Sequence, residues 1–145
     1  MYLKSTIDNI YTLLSTSAAL TARIKFFGRG NLDKSHIIFP FISIGAPSDI
    51  VNAQTIGKGG SDEHTMNLPI YVGHRSRVDE EAFNEMLQSL DDITDICRGE
   101  YFSNSLTRPA NILTVRTGYE IMSGEFLWIG EVMIEGRRKE PRLKP

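Results

Sequence analysis

Three features of this 145-residue chain predict an α+β domain: a mainly antiparallel sheet of four or five strands with two helices packed on one face. Ser76 to Gly99 carries apolar residues at three- and four-residue steps, the spacing of an amphipathic helix. Thr65 to His74 alternates apolar and polar residues, as a strand with one buried face does. Asn111 to Met122 and Phe126 to Glu135 flank Ser123-Gly124 and read as a hairpin. The long helix closes the core over strands contributed from both sides of it.

In chain order, Ile7, Ile10, Tyr11 and Leu14 mark a short amphipathic helix, with Ser5-Thr6-Ile7-Asp8 as its capping box and an end near Thr16 or Ala19. Arg23 to Phe27 is a brief strand before the Gly28–Asn31 loop. His36 to Ile44 is apolar on both faces and reads as a strand. There Pro40, lacking a ladder donor, demands an edge or a bulge. After a turn at Ala46–Asp49, Ile50 to Ile56 opens a strand that gives way to Gly57, Lys58, Gly59 and Gly60. These form a mobile tip with little to bury and a candidate partner contact. In the next strand Met66, Leu68, Ile70 and Val72 share one face, opposite Thr65, Asn67 and Tyr71.

The long helix carries Phe83, Met86, Leu87, Leu90, Ile93, Thr94 and Cys97 on its apolar side. Asp79, Glu80, Glu81, Glu85, Asp91, Asp92 and Asp95 fall largely opposite. Ser76 and Asp79 suggest a capping box, Arg98 complements the helix dipole, and Gly99 suits a left-handed stop. Glu100 to Ala110 is irregular. In the hairpin Leu113, Val115, Tyr119 and Ile121 share a side of the first arm. Phe126, Trp128, Val132 and Ile134 share a face of the second, while Leu127, Ile129 and Met133 lie opposite with Glu131 and Glu135. A last strand apolar on both sides asks for a second cover, and Ile96, outside its helix's stripe, asks the same. Two readings fit these residues: a subunit interface, or the scattered surface hydrophobics that any protein carries. The element order is α-β-β-β-α-β-β, one domain over residues 1–136.

Residues 137–145 stand apart, with five basic groups and one acid against eleven basic and seventeen acidic groups before them. Arg137, Arg138, Lys139, Arg142 and Lys144 make a basic C-terminal arm, either an interaction tail or a solvated end. No apolar run approaches the roughly 18 residues of a membrane span, and MYLKSTIDN lacks the pattern of a secretory signal. The single cysteine excludes an intrachain disulfide and suits a reducing compartment.

Reaction chemistry finds little support. Gly57-Lys58-Gly59-Gly60-Ser61 lacks the spacing of a phosphate loop, and no helical pattern follows it. His36, His64 and His74 are scattered, and Cys97 sits on an apolar stripe, so no metal or nucleophile constellation is evident. The helix acids read as a solvated face rather than a catalytic pair. No enzyme, metal or cofactor is expected.

In layout, residues 1–138 resemble the tail terminator, or tail completion, proteins of long-tailed bacteriophages, the lambda-like terminators among them. The likeness rests on the N-terminal helix with Ile7, Ile10, Leu13 and Leu14, then Phe39-Pro40-Phe41-Ile42-Ser43-Ile44. Leu68-Pro69-Ile70-Tyr71-Val72, the acidic amphipathic helix, and a closing hairpin with Tyr119, Phe126 and a basic end complete it. The Gly57–Ser61 tip and the last residues depart from the pattern. The resemblance implies a structural protein of the virion, assembled in the host cytoplasm. It implies a ring of six copies that caps the tail tube protein, stops its polymerisation and meets the head–tail connector, with DNA passing through unbound. Leu127, Ile129, Met133, Ile96 and the basic arm are the candidate contacts. The competing class is a small cytoplasmic binding module that touches nucleic acid through that arm.

Overall fold

A computed structural model describes residues 2–30, 38–53 and 60–141. Helix α1 (Tyr2–Ser15) and the single turn α2 (Ala18–Thr21) lead into β1 (Phe26–Arg29), β2 (Phe41–Ile44), β3 (Ser48–Ala53) and β4 (Ser61–Ser76). Helix α3 (Asp79–Cys97) follows, then β5 (Arg108–Met122) and β6 (Glu125–Pro141). The fold is α+β, as the patterning implies. Its sheet has six strands in the order β1-β2-β4-β6-β5, with β3 paired to β4 beyond the end of β2. Only β1–β2 is parallel.

β4 and β6 form the spine, paired from Ser61–Pro141 to Ser76–Phe126. Their even-numbered side chains face the helices. Met66, Leu68, Ile70 and Val72 of β4 join Val132 and Ile134 of β6 in one buried cluster with Ile10 and Leu14 of α1 and Met86, Leu90 and Ile93 of α3. Helix α3 rests mainly on β6 and β4, and α1 lies toward β1. Close approach of α3 depends on Gly130, where an added Cβ would lie 2.6 Å from Leu90 Cδ2.

Several local expectations are corrected. Helix α1 begins at Tyr2, so Ser5–Asp8 lies inside it. The Thr6 hydroxyl donates back to the Tyr2 carbonyl at 2.7 Å instead of capping. Val78, without a side-chain bond, is the N-cap of α3, and Ser76 Oγ accepts from the Val78 amide at 3.1 Å. Pro40 lies just before β2, an interior strand, so it needs neither an edge nor a bulge within the ladder. Its carbonyl accepts from the Lys25 amide at 2.9 Å, and the Phe39–Pro40 peptide is cis. Gly99 adopts φ +79 and ends α3, and Ser123 and Gly124 (φ 50 and 77) make the tight hairpin turn. Residues 137–141, the first part of the expected arm, continue β6 beside β4 and span Arg137↔Thr65 to Pro141↔Ser61. Arg142 and Lys144 fall outside the described residues, as do Gly57, Lys58 and Gly59; Gly60 is buried at the entry to β4.

Candidate interaction surfaces

The two most exposed large apolar side chains among the described residues, Ile121 and Tyr119, sit on β5, and Ile50 and Val51 of β3 are exposed as well. Strand β5 runs for 15 residues along the sheet edge with β6 on one side and no neighbour among the described residues on the other. Register puts Val115 opposite Val132, Tyr119 opposite Trp128 and Ile121 opposite Phe126, so all three face the helix layer. α3 stops short of them. Val115 is 49%, Tyr119 60% and Ile121 64% exposed, whereas Val132, the partner of Val115, is fully buried and Trp128 and Phe126 are half-buried. Ile112 and Thr114 pair with the adjacent Ile134 and Met133, which leaves Leu113 on a bulge, also exposed. A strand expected to bury one face against a helix therefore carries that face as an open ledge.

The ledge is anchored to α3 by three rings in a row, Tyr119 stacked on Trp128 and Phe83 tilted against it. Phe83 lies 4.7 Å from Trp128, and Trp128 lies 5.0 Å from Tyr119, centroid to centroid. Trp128 Nε1 donates to Asp79 Oδ1 at 2.7 Å, which fixes the indole at the helix start. Glu80, Phe83, Leu87 and Asp91 recur at helical spacing on this same side of α3; Glu80, Leu87 and Asp91 are exposed. The ledge thus has an acidic rim.

On the reverse face of the sheet the expected contacts are less open than their pattern suggests. Leu127 is buried, and Ile129 and Met133 are half-buried. The Phe41 ring covers Gly73, which pairs with Ile129, and so shields this side within a single copy. Ile96 packs against the main cluster.

Arg137 and Arg138 of the last strand are already engaged. Arg137 pairs with Glu135 at 3.2 Å and with Glu63 at 3.5 Å. Arg138 pairs with Glu140 at 3.2 Å, and its Nη1 donates to the Asn104 and Ser105 carbonyls at 2.8 and 2.9 Å. Lys139 is exposed. Alternation along β6, with acids on the facing strand, spreads this charge through the sheet rather than along a free arm.

The groups with reactive side chains are placed in the frame. Cys97 is buried, and burial pushes its thiol up to about 12. His74 lies under α3 with Nε2 2.9 Å from Ser89 Oγ; burial, with the Arg23 charge nearby, pulls its pKa down to about 4. His64 Nδ1 lies 2.8 Å from Asp49 Oδ2, and Asp49 also accepts from the Tyr2 hydroxyl at 2.5 Å. That cluster ties α1 to β3 and β4. Burial and the Asp49 bond hold the Tyr2 hydroxyl protonated far above its ordinary range. His36 is outside the described residues. No group of three or more metal-ligating side chains occurs among the described residues, and no described helix is long and apolar enough to cross a membrane.

No family model matches the sequence, and no curated protein matches it. Solved structures do match. A chain from the virion of the native gene transfer agent particle shares this fold. The two superpose with a TM-score of 0.62 over 90% of this chain and 92% of that one, at 13% sequence identity. At that identity the likeness concerns backbone architecture alone.

What sequence reasoning missed is the placement of open apolar surface on β5 instead of β6. A signal was present: Asn111–Met122 mixes Thr114, Arg116, Thr117, Gly118 and Glu120 among its apolar residues, whereas Leu127–Ile134 is interrupted only by Gly130 and Glu131. The polar strand is the edge.

Proposed function

We propose that this protein is a structural component of a phage-type virion, a ring-forming tail terminator, most simply a hexamer, that caps the tail tube and joins it to the head connector. The uncovered β5 carries the reading. A 15-residue edge strand with exposed Val115, Tyr119 and Ile121 is the kind of surface that isolated proteins blunt and assembling proteins use. The likeness of fold to a gene transfer agent virion chain supports the same role. The internal ion pairs of Arg137 and Arg138 weigh against nucleic-acid binding through the C-terminal segment. In the ring, the acidic outer side of α3 repels DNA phosphates, so DNA passes without being held.

The test adds purified protein to polymerising tail tube protein and measures tube lengths by negative-stain microscopy. Tubes that stop growing and carry one ring at one end are the expected result. Unaltered growth, with no ring on either end, removes the proposal. In a second measurement, rings with Glu81 and Asp95 changed to the amides should retain DNA that wild-type rings release; equal release by both removes the acidic-channel idea.

A further inference from the structure

We propose that the β5 ledge of one copy docks against the α1–β1 edge of the next, a head-to-tail contact that rests on the ring reading above and specifies its interface. One row of residues crosses the whole sheet: Val115 on β5, Val132 on β6, Ile70 on β4, Ile44 on β2 and Arg29 on β1. Val115 and Arg29 are thus the two ends of one rung, at opposite edges and on the same, helix-bearing side. Arg29 shows that side by lying 4.6 Å over the Tyr11 ring of α1 and pairing with Asp8.

The far edge offers a complementary shape. Leu3, Lys4, Ile7, Asp8 and Arg29 line an open cleft of about 510 Å³ whose walls are mostly apolar. Its volume admits an aromatic and a branched aliphatic side chain, which is what Tyr119 and Val115 present. Charge matches as well. Lys4 and Arg29 share the single carboxylate of Asp8 and leave a net positive rim. Across from it, the ledge is bordered by Glu80 and Asp91 of α3, exposed acids that form no ion pair among the described residues. Two different patches that fit each other on opposite edges make a heterologous contact, and such contacts close into a ring when their rotation closes. A symmetric pairing of ledge with ledge sets Glu80 and Asp91 against their own copies and is disfavoured by like charge.

Two substitutions test this: Tyr119→Lys at an exposed position on the ledge and Ile7→Glu at a half-buried position in the cleft, where Ile7 also packs against the core, so that folding is checked alongside assembly. Native mass spectrometry and light scattering over a concentration series should show a ring for the wild type. For either variant alone the half-assembly concentration should rise at least about tenfold. Mixed one to one, the variants should form a discrete dimer of one copy of each, because each keeps one intact patch. Circular dichroism and urea midpoints like those of wild type confirm that both variants are folded. A wild-type ring that survives both substitutions, or a mixture that stays monomeric, overturns this interface while leaving the ring reading standing. A wild-type chain that remains monomeric up to millimolar concentration overturns this interface, and one that also forms no ring on tube protein overturns the ring reading with it. As a second route, the double variant Ile7→Cys with Tyr119→Cys should yield a ladder of oxidised oligomers. Dimers from either single cysteine alone would instead indicate a symmetric contact.

Discussion

His74 shows how one buried side chain ties stability to pH. Its pKa falls from an ordinary 6.5 to about 4 because burial disfavours the imidazolium and Arg23 adds repulsion. Between those values the unfolded chain binds a proton that the native state refuses, so stability is full above pH 6.5 and declines as pH falls toward 4. The difference corresponds to about 3 kcal/mol. His74→Gln keeps a polar partner for Ser89 and should flatten the urea midpoint between pH 6.5 and 5. Parallel wild-type and variant curves over that window count against the assignment. Arg138 makes a second case, because its two bonds to the Asn104 and Ser105 carbonyls hold a turn in which Phe102, Ser103 and Asn104 all have positive φ. Arg138→Ala should cost about 1–3 kcal/mol in urea unfolding and leave DNA affinity unchanged at any salt concentration. A fall in DNA affinity with intact stability would restore the nucleic-acid reading.

At the scale of the element, α3 and the sheet meet at Gly130, and the fit is close enough to measure. Gly130→Ala should destabilise by about 1–3 kcal/mol through overpacking against Leu90, and Leu90→Ala by about 2–5 kcal/mol through a cavity. The double variant should lose less than the two combined, since the new methyl fills space that Leu90 vacates. Additive losses in chemical denaturation would mean that the two side chains do not meet. The helix itself was legible from periodicity, and so were the buried face of β4 and the hairpin turn, because each follows a short-range pattern of polarity or backbone angle. The caps were not. Ser76 and Ser5 have the right side chains at the right spacing to an acid, yet Ser76 accepts from the Val78 amide and Ser5 lies inside α1, which begins at Tyr2. Alternation in β5 announced a strand with an apolar face, but nothing local says whether a helix reaches far enough to cover it.

For the whole molecule, the decisive property is an imbalance between the two layers: a six-stranded sheet is wider than the helices above it. α1 shelters the β1 side, α3 the β4–β6 spine, and β5 is left over. Apolar patterning pointed to unpartnered surface at Leu127, Ile129 and Met133, whose side of the sheet is sheltered near Phe41. Long-range order of strands, which local pattern does not encode, decided which strand became the edge. An uncovered edge also has a dynamic signature. In the free chain, the β5 amides that point to β6 are hydrogen-bonded and those that point outward are not, so hydrogen exchange along Thr114–Met122 should alternate between slow and fast. Amides of β4 and β6 lie between paired strands and should be slow throughout. On assembly, docking through side chains over the ledge should slow exchange at Tyr119 and Ile121 moderately while the alternation persists. If the neighbour instead adds a strand to β5, the outward amides should become as slow as those of β6. Exchange at β5 that is identical in the free and assembled protein would place the subunit contact elsewhere on the molecule.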